Sequence, residues 1–319
     1  MNIMAPIVDW IDSILFFFLF LEVAYLLLLG SVMKSTVLKC RIDKYFRYAV
    51  LIPKGYPFPE QDYKQEHYQF FYYDNWRTKI KEIKTDDFDT AIVLGSFVSI
   101  PKDLLSTVNI ANNSGFKALQ LHTILNSNRT YRLRRKARSE ELRNGLLKSG
   151  RCGIGLSSAL DKYNFVVPLK WTQEHLKTDK TNLEWALTSH HIFIKYLMEP
   201  MIVAENFPEH FKQRSLKKSM RRLFKFLPTG NLEEIERSLH RLLPSCKFLI
   251  IILLAFSIGL SFYSLYWSIK WWLLLYFSFF AFSLAMPDYV MEPHKKRKSL
   301  NLYKLWKNRQ SKEKLKASV

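Results

Sequence analysis

The chain has 319 residues, a formal charge of +20 from 48 Lys and Arg against 28 Asp and Glu, and 48% hydrophobic residues. This excludes a disordered or collagen-like chain, and the length allows one ordinary domain plus further elements. Cys40, Cys152 and Cys246 show no CxxC spacing, so they support neither a disulfide framework nor a zinc knuckle and read as reduced, space-filling thiols.

So large a basic surplus points first to nucleic acid, unless the apolar runs give the charge another address. Residues 14–33, after a short segment 1–13, hold one ionisable group, Glu22. At about 1.5 Å per residue such a run spans a hydrocarbon core of about 30 Å and predicts a membrane helix. Asp9 and Asp12, with no base beside them, have the wrong sign for a signal peptide. Glu22 at mid-span is expected to face another helix, with an interhelical hydrogen bond favoured over a transport role. Residues 248–267 and 271–286 are two more apolar runs, the last short enough that partial insertion is an alternative. With only Ser268, Ile269 and Lys270 between them they predict a tight hairpin. Trp267, Trp271 and Trp272 would form an aromatic belt at its tip, with Lys270 snorkelling.

Residues 1–33 carry three acids and no Lys or Arg; 34–247 carry 37 bases against 22 acids, and 287–319 ten against three. Three crossings put both basic parts on one side, as the positive-inside rule asks. The expectation is a multi-pass protein of the cell (inner) membrane with its N-terminus outside and both the body and the basic tail 287–319 in the cytosol. Membrane lipids are the expected partner and nucleic acid is not. In the tail, the cluster 294–298 with Lys304, Lys307 and Arg309 suits RNA or anionic lipid, and its place just after an apolar run favours lipid.

Within the body, residues 48–53, 68–74 and 90–97 read as strands and 104–114 and 139–149 as helices. The alternation predicts an α/β layer with a mostly parallel sheet. Residues 208–228 repeat apolar residues at helical spacing among seven Lys and Arg, predicting a basic amphipathic helix in the headgroup plane; packing on the body is the alternative. Asn231 and Glu234 suggest a capping box for a second such helix, 232–243, completing an interface segment 208–247. The run 129–138, with six Arg or Lys, suits phosphate groups, anionic headgroups, an acidic partner or plain solvation. His190 and His191 point to different helix faces and read as packing or surface residues, and Gly153 to Leu156 as a turn.

Taken in order, these residues resemble the membrane-integrated family 2 glycosyltransferases, whose nucleotide-sugar domain has the Rossmann-like GT-A fold. Val50 to Pro53 resembles that family's first strand, and Tyr73, Asp74 and Asn75 the end of its second. Phe88 to Leu94, with Asp89, resembles the strand leading into its metal motif. Asn109, Gly115, Lys117 to Gln120 and Asn128 to Thr130 fall on the family's spacing, and Glu140, Asn144, Gly150, Arg151 and Gly155 to Ser157 continue it. The resemblance implies a truncated GT-A-like domain over 34–207, with Asp74, Asn75 and Asp89 on the nucleotide.

The chemistry departs from the family. Where an Asp-x-Asp would hold Mg or Mn stands Gly95-Ser96-Phe97-Val98-Ser99, and no carboxylate occurs between Asp89 and Asp103. Asp179 is the candidate general base, in uncertain register. Gln213 and Arg214 are what is left of a Gln-x-x-Arg-Trp motif, and Asp161 to Asn164 replace a Gly-rich turn. The connections 54–67 and 75–89 are short for parallel crossovers. No cofactor is expected, and Mg or Mn only through an unrecognised ligand set. The leading expectation is a non-catalytic, glycosyltransferase-like partner of an active synthase or other polysaccharide-assembly protein. The alternative is an active, metal-independent enzyme binding a nucleotide sugar, with Asp179 as base. A lipid-surface protein unrelated to the family is the third reading.

Overall fold

In the computed structural model, residues 4–32, 44–56, 58, 67–125, 131–176, 182–204, 216–240 and 245–287 are described; Asp179, Gln213, Arg214 and the tail from 288 lie outside them. The apolar run Tyr48–Pro53 is buried from Tyr48 to Ile52 and forms β1, inside a seven-stranded sheet. The other strands are β2 (Tyr68–Tyr73), β3 (Thr90–Val93), β4 (Phe97–Ser99), β5 (Ala118–Leu125), β6 (Phe165–Pro168) and β7 (Ile194–Ala204), in the order β2-β1-β3-β6-β5-β7-β4. The expected mostly parallel sheet is corrected to a mixed one. β1 runs parallel to β2 and β3, and β5 to β7, but β6 enters between β3 and β5 antiparallel to both, and β4 runs against β7.

Alternate residues face opposite sides of a strand, and both sides are covered here. Val50, Ile52, Ile92 and Leu119 pack with Leu105 and Val108 of α3 (Leu104–Asn113). Leu51, Val93, Phe165 and Val167 pack with Trp76 and Ile80 of α2 (Trp76–Glu82), Leu169 of α6 (Leu169–His175) and Leu187 of α7 (Leu183–Ser189). Helices on both faces of a sheet make the three-layer α/β arrangement.

The predicted strand 90–97 is split. β3 stops at Val93, and Phe97 begins β4 at the far edge. Four residues reach at most about 14 Å, whereas four strand spacings on a flat sheet are about 19 Å, so the sheet curls to bring the two together. The predicted helix 139–149 starts earlier: α4 (Tyr131–Arg143) passes into a π-helical stretch, Asn144–Gly150, and then the short α5 (Arg151–Gly153).

Among the described residues, three helices are long and apolar enough to cross a membrane: α1 (Met4–Ser31), through its segment Trp10–Ser31, α10 (Cys246–Tyr263) and α11 (Leu265–Leu284). The hairpin turns at Ser264, whose extended backbone breaks the helix, rather than at 268–270. Trp271 is therefore no belt residue. It is buried between Phe16 (5.5 Å between rings) and Phe256 (4.6 Å), its Nε1 donating to Asp12 Oδ1 at 3.0 Å. Lys270 pairs with the same carboxylate. α1 begins at Met4, well before residue 14, and carries Asp12 within it. Near its other end, Gly30 lies so close to α11 that a Cβ would stand 2.9 Å from the Ala281 carbonyl oxygen. α1 and α11 thus run in the same direction, both ending beside the α/β body. Glu22 is buried among these helices, and its Oε2 has no hydrogen-bond partner among the described residues.

Between the body and the hairpin lie α8 (Leu216–Phe226) and α9 (Leu232–His240). Asn231 Oδ1 accepts the Glu234 N–H at 3.3 Å, the capping contact expected from the sequence. α9 is turned inside out: Glu234, Arg237 and Ser238 are buried while Leu232 and Leu239 are exposed. Arg237 pairs with Glu184 (2.8 Å), Glu234 accepts from Thr188 Oγ1 (2.7 Å), and Glu236 holds Arg151 (2.6 Å) and Tyr25 of α1. On α8, Met220 and Phe224 are exposed as well.

Candidate functional site

In α/β sheets ligands bind beyond the carboxyl ends of the parallel strands. Here those ends deliver Lys54 after β1, Asp74 after β2 and Leu94-Gly95-Ser96 after β3. Lys54 Nζ and Asp74 Oδ2 pair at 2.5 Å with side chains 63% and 75% exposed. Asn75 is occupied as the N-cap of α2, its side chain accepting the Arg77 N–H at 3.1 Å. Asp89 stands at the opposite end of β3, accepting the Arg47 N–H at 2.9 Å. From the registers Tyr48↔Thr90 and Pro53↔Tyr73, Asp89 and Asp74 are roughly 23 Å apart along the strands. Asp74 and Asn75 are thus neighbours, and Asp89 is not brought to them.

The rest of this edge is closed by the protein's own side chains. Gly95 N–H donates to Asn164 Oδ1 at 2.8 Å, and a Cβ on Gly95 would lie 2.9 Å from that of Tyr163. The Tyr73 hydroxyl donates to the Leu94 carbonyl at 2.5 Å, and burial raises this phenol above its ordinary pKa, so it remains a donor. Phe97 is buried beside Tyr56 (5.6 Å between rings) and Phe58 (6.3 Å). Where the resemblance would put Asp-x-Asp, Gly95 and Phe97 are therefore packed into the corner, while Val98 and Ser99 are exposed.

Beneath it lies a buried polar cluster. The π-helical stretch aims Lys148 at Asp161, with the two side chains 1% and 2% exposed. Gln120 Oε1 accepts the Asp161 N–H (2.8 Å), its Nε2 donates to the Asn164 carbonyl (3.1 Å), and Arg143 Nη1 stands 3.5 Å from Asp161 Oδ1. Asn164 Nδ2 donates to Thr123 Oγ1 (3.0 Å). Next to these, both ring nitrogens of His122 face acceptors, the Met198 carbonyl (2.9 Å) and Glu141 Oε2 (3.2 Å), and Asn144 Nδ2 donates to Glu141 Oε1 (3.3 Å). Burying ions costs several kcal/mol each unless geometry and hydrogen bonds repay it, and this cluster supplies both.

These residues do not fit a divalent cation. The Gly95 to Ser99 stretch has no carboxylate, and among the described residues no three His, Cys, Asp or Glu side chains are grouped to hold one. His190 donates from Nδ1 to the Ala186 carbonyl (2.8 Å) and packs on His175 and Trp171. Gly155, at φ +83°, closes the turn after α5.

In the sequence, Gln120 and Asn144 stand out only for their spacing, and Lys148 and His122 not at all. Nothing local distinguishes a buried lysine from a surface one; Gln120 inside an apolar strand was the available signal. No protein-family model matches the chain, and no curated protein matches it.

Proposed function

We propose that the chain is a membrane-embedded, glycosyltransferase-like protein that does not turn over a nucleotide sugar itself and assists an active synthase in polysaccharide or glycolipid assembly. The observation that carries this reading is the occupation of the strand-end crevice: Tyr163 and Asn164 cover Gly95, and Lys148 is neutralised by Asp161 rather than held open for a diphosphate. A sugar-diphosphate leaving group needs its charge stabilised, and among the described residues no carboxylate set for a cation is grouped. What supports a truncated GT-A-like ancestry is the order β2-β1-β3 of parallel strands with Asp74 after the second. The split of charge about the apolar helices favours an inner-membrane protein with its N-terminus outside and body and tail in the cytosol.

The test uses the purified full-length protein in detergent. With a panel of nucleotide sugars, with and without Mg or Mn, neither release of nucleoside diphosphate nor calorimetric binding at millimolar ligand is expected. Turnover that disappears in Asp179→Asn would overturn this reading in favour of a metal-independent transferase.

A further inference from the structure

α4 carries Arg132, Arg134, Arg135, Lys136 and Arg138, all exposed or partly so, and no acid over the same stretch. Arg132 and Lys136, and Arg134 and Arg138, are spaced i,i+4, while Arg132 and Arg135, and Arg135 and Arg138, are spaced i,i+3. Each is a destabilising like-charge pair on a helix. The acids of the helix, Glu140 and Glu141, lie at its other end beside Arg143 (3.8 Å) and His122 (3.2 Å). Arg132, Arg134, Arg135 and Arg138 give this face of the helix a concentrated positive charge.

The position of this face is set by the segment C-terminal to it. α4 continues into the π-helical stretch and α5, and these are pressed onto the end of α1. A Cβ on Gly150 would lie 2.6 Å from the Leu29 carbonyl oxygen, and one on Gly153 2.5 Å from that of Val32. Leu142, Leu146, Leu147 and Ile154 join the apolar cluster of α1, α10 and α11. Arg138 is one turn from Leu142, about 6 Å along the helix, within a Debye length of about 8 Å at physiological salt. α9 meets the same level through Glu236, which forms an ion pair with Arg151 and accepts from the Tyr25 hydroxyl, and it exposes Leu232 and Leu239.

We infer that α4 is a membrane-surface helix whose arginines dock on the phosphates of anionic lipid headgroups. The inference rests on the reading that α1, α10 and α11 cross a bilayer. Charge complementarity and continuity with the end of α1 favour this occupant over an acidic protein, and basic residues next to a membrane span gain from an anionic leaflet.

The experiment uses the full chain in vesicles of phosphatidylcholine alone or with phosphatidylglycerol. Tyr131→Cys, at an exposed site on the first turn of α4, carries a fluorophore in a Cys40→Ser background, and headgroup spin-labelled lipid serves as quencher. Severalfold stronger quenching is expected with phosphatidylglycerol, weakened by salt and by joint Arg132→Glu, Arg134→Glu and Arg135→Glu. The salt response of the unreversed protein keeps the test valid if the reversed variant misfolds. Quenching that is absent, or the same in both vesicles, overturns the inference even where the protein resists alkaline carbonate extraction. Extraction by carbonate would instead remove the membrane-spanning reading and the inference with it.

Discussion

Three Lys–Asp pairs share one chemistry and differ in their surroundings. Lys54–Asp74 lies open at the strand ends, with side chains 63% and 75% exposed. Lys148–Asp161, at the neighbouring strand ends, is 1% and 2% exposed and held by Gln120 and Arg143. Lys270–Asp12, joining α11 to α1, is intermediate at 29% and 10%. Water screens the first and leaves it exchangeable, whereas the second is a fixed part of the interior whose removal leaves an uncompensated ion. The first pair therefore stays in solvent while the second has become core.

The largest effect expected from this contrast is at the buried pair. Lys148→Met or Asp161→Leu alone should destabilise the protein by about 3–5 kcal/mol, and the double variant should recover most of that loss. Denaturant unfolding of the three variants checks this; single-variant losses as small as those of a surface pair would erase the contrast. Asp12→Ala should come next, at about 1–3 kcal/mol, because it strips Trp271 Nε1 of its buried acceptor and Lys270 of its counter-ion. Lys54→Ala should change stability by about 1 kcal/mol or less. A larger loss would mean that the open pair is structural too. The smallest effect is chemical: burial raises the Cys152 thiol above its ordinary pKa, leaving less thiolate at neutral pH. Alkylation of Cys152 followed by mass spectrometry should be slow at neutral pH, rise as pH passes above the usual thiol range, and become fast at neutral pH in Lys148→Met, where the adjoining π-helical stretch is loosened.

Much of the fold was legible. β1 matches the predicted run because five consecutive buried residues bounded by Pro53 and Gly55 have few other destinations. α3, the Asn231 cap and the three apolar helices were readable for the same reason, since each is written in neighbouring residues. The fold was harder to read wherever the deciding partner is distant. The tryptophans near residue 270 read as a lipid-boundary belt until Asp12, some 260 positions away, is seen to bind Trp271. Asp74 and Asp89 read as one site, but strand direction puts them at opposite ends of the sheet. The continuous apolar pattern 90–97 hid a change of strand that only a curled sheet requires.

By itself, the sequence determined the apolar spans, the segments in which the basic charge gathers, the missing carboxylates of the corner at Gly95 and several elements of the α/β body. Periodicity, length and composition act locally, so a chain read in order reveals them. Only the tertiary structure decided that β6 reverses the sheet between β3 and β5, that α9 turns its ions inward, and that Lys148 and Asp161 meet in the interior. Whether a charge is a ligand-binding group or part of the core depends on the dielectric around it and on the partners that share its burial, and those come together only when the chain is folded.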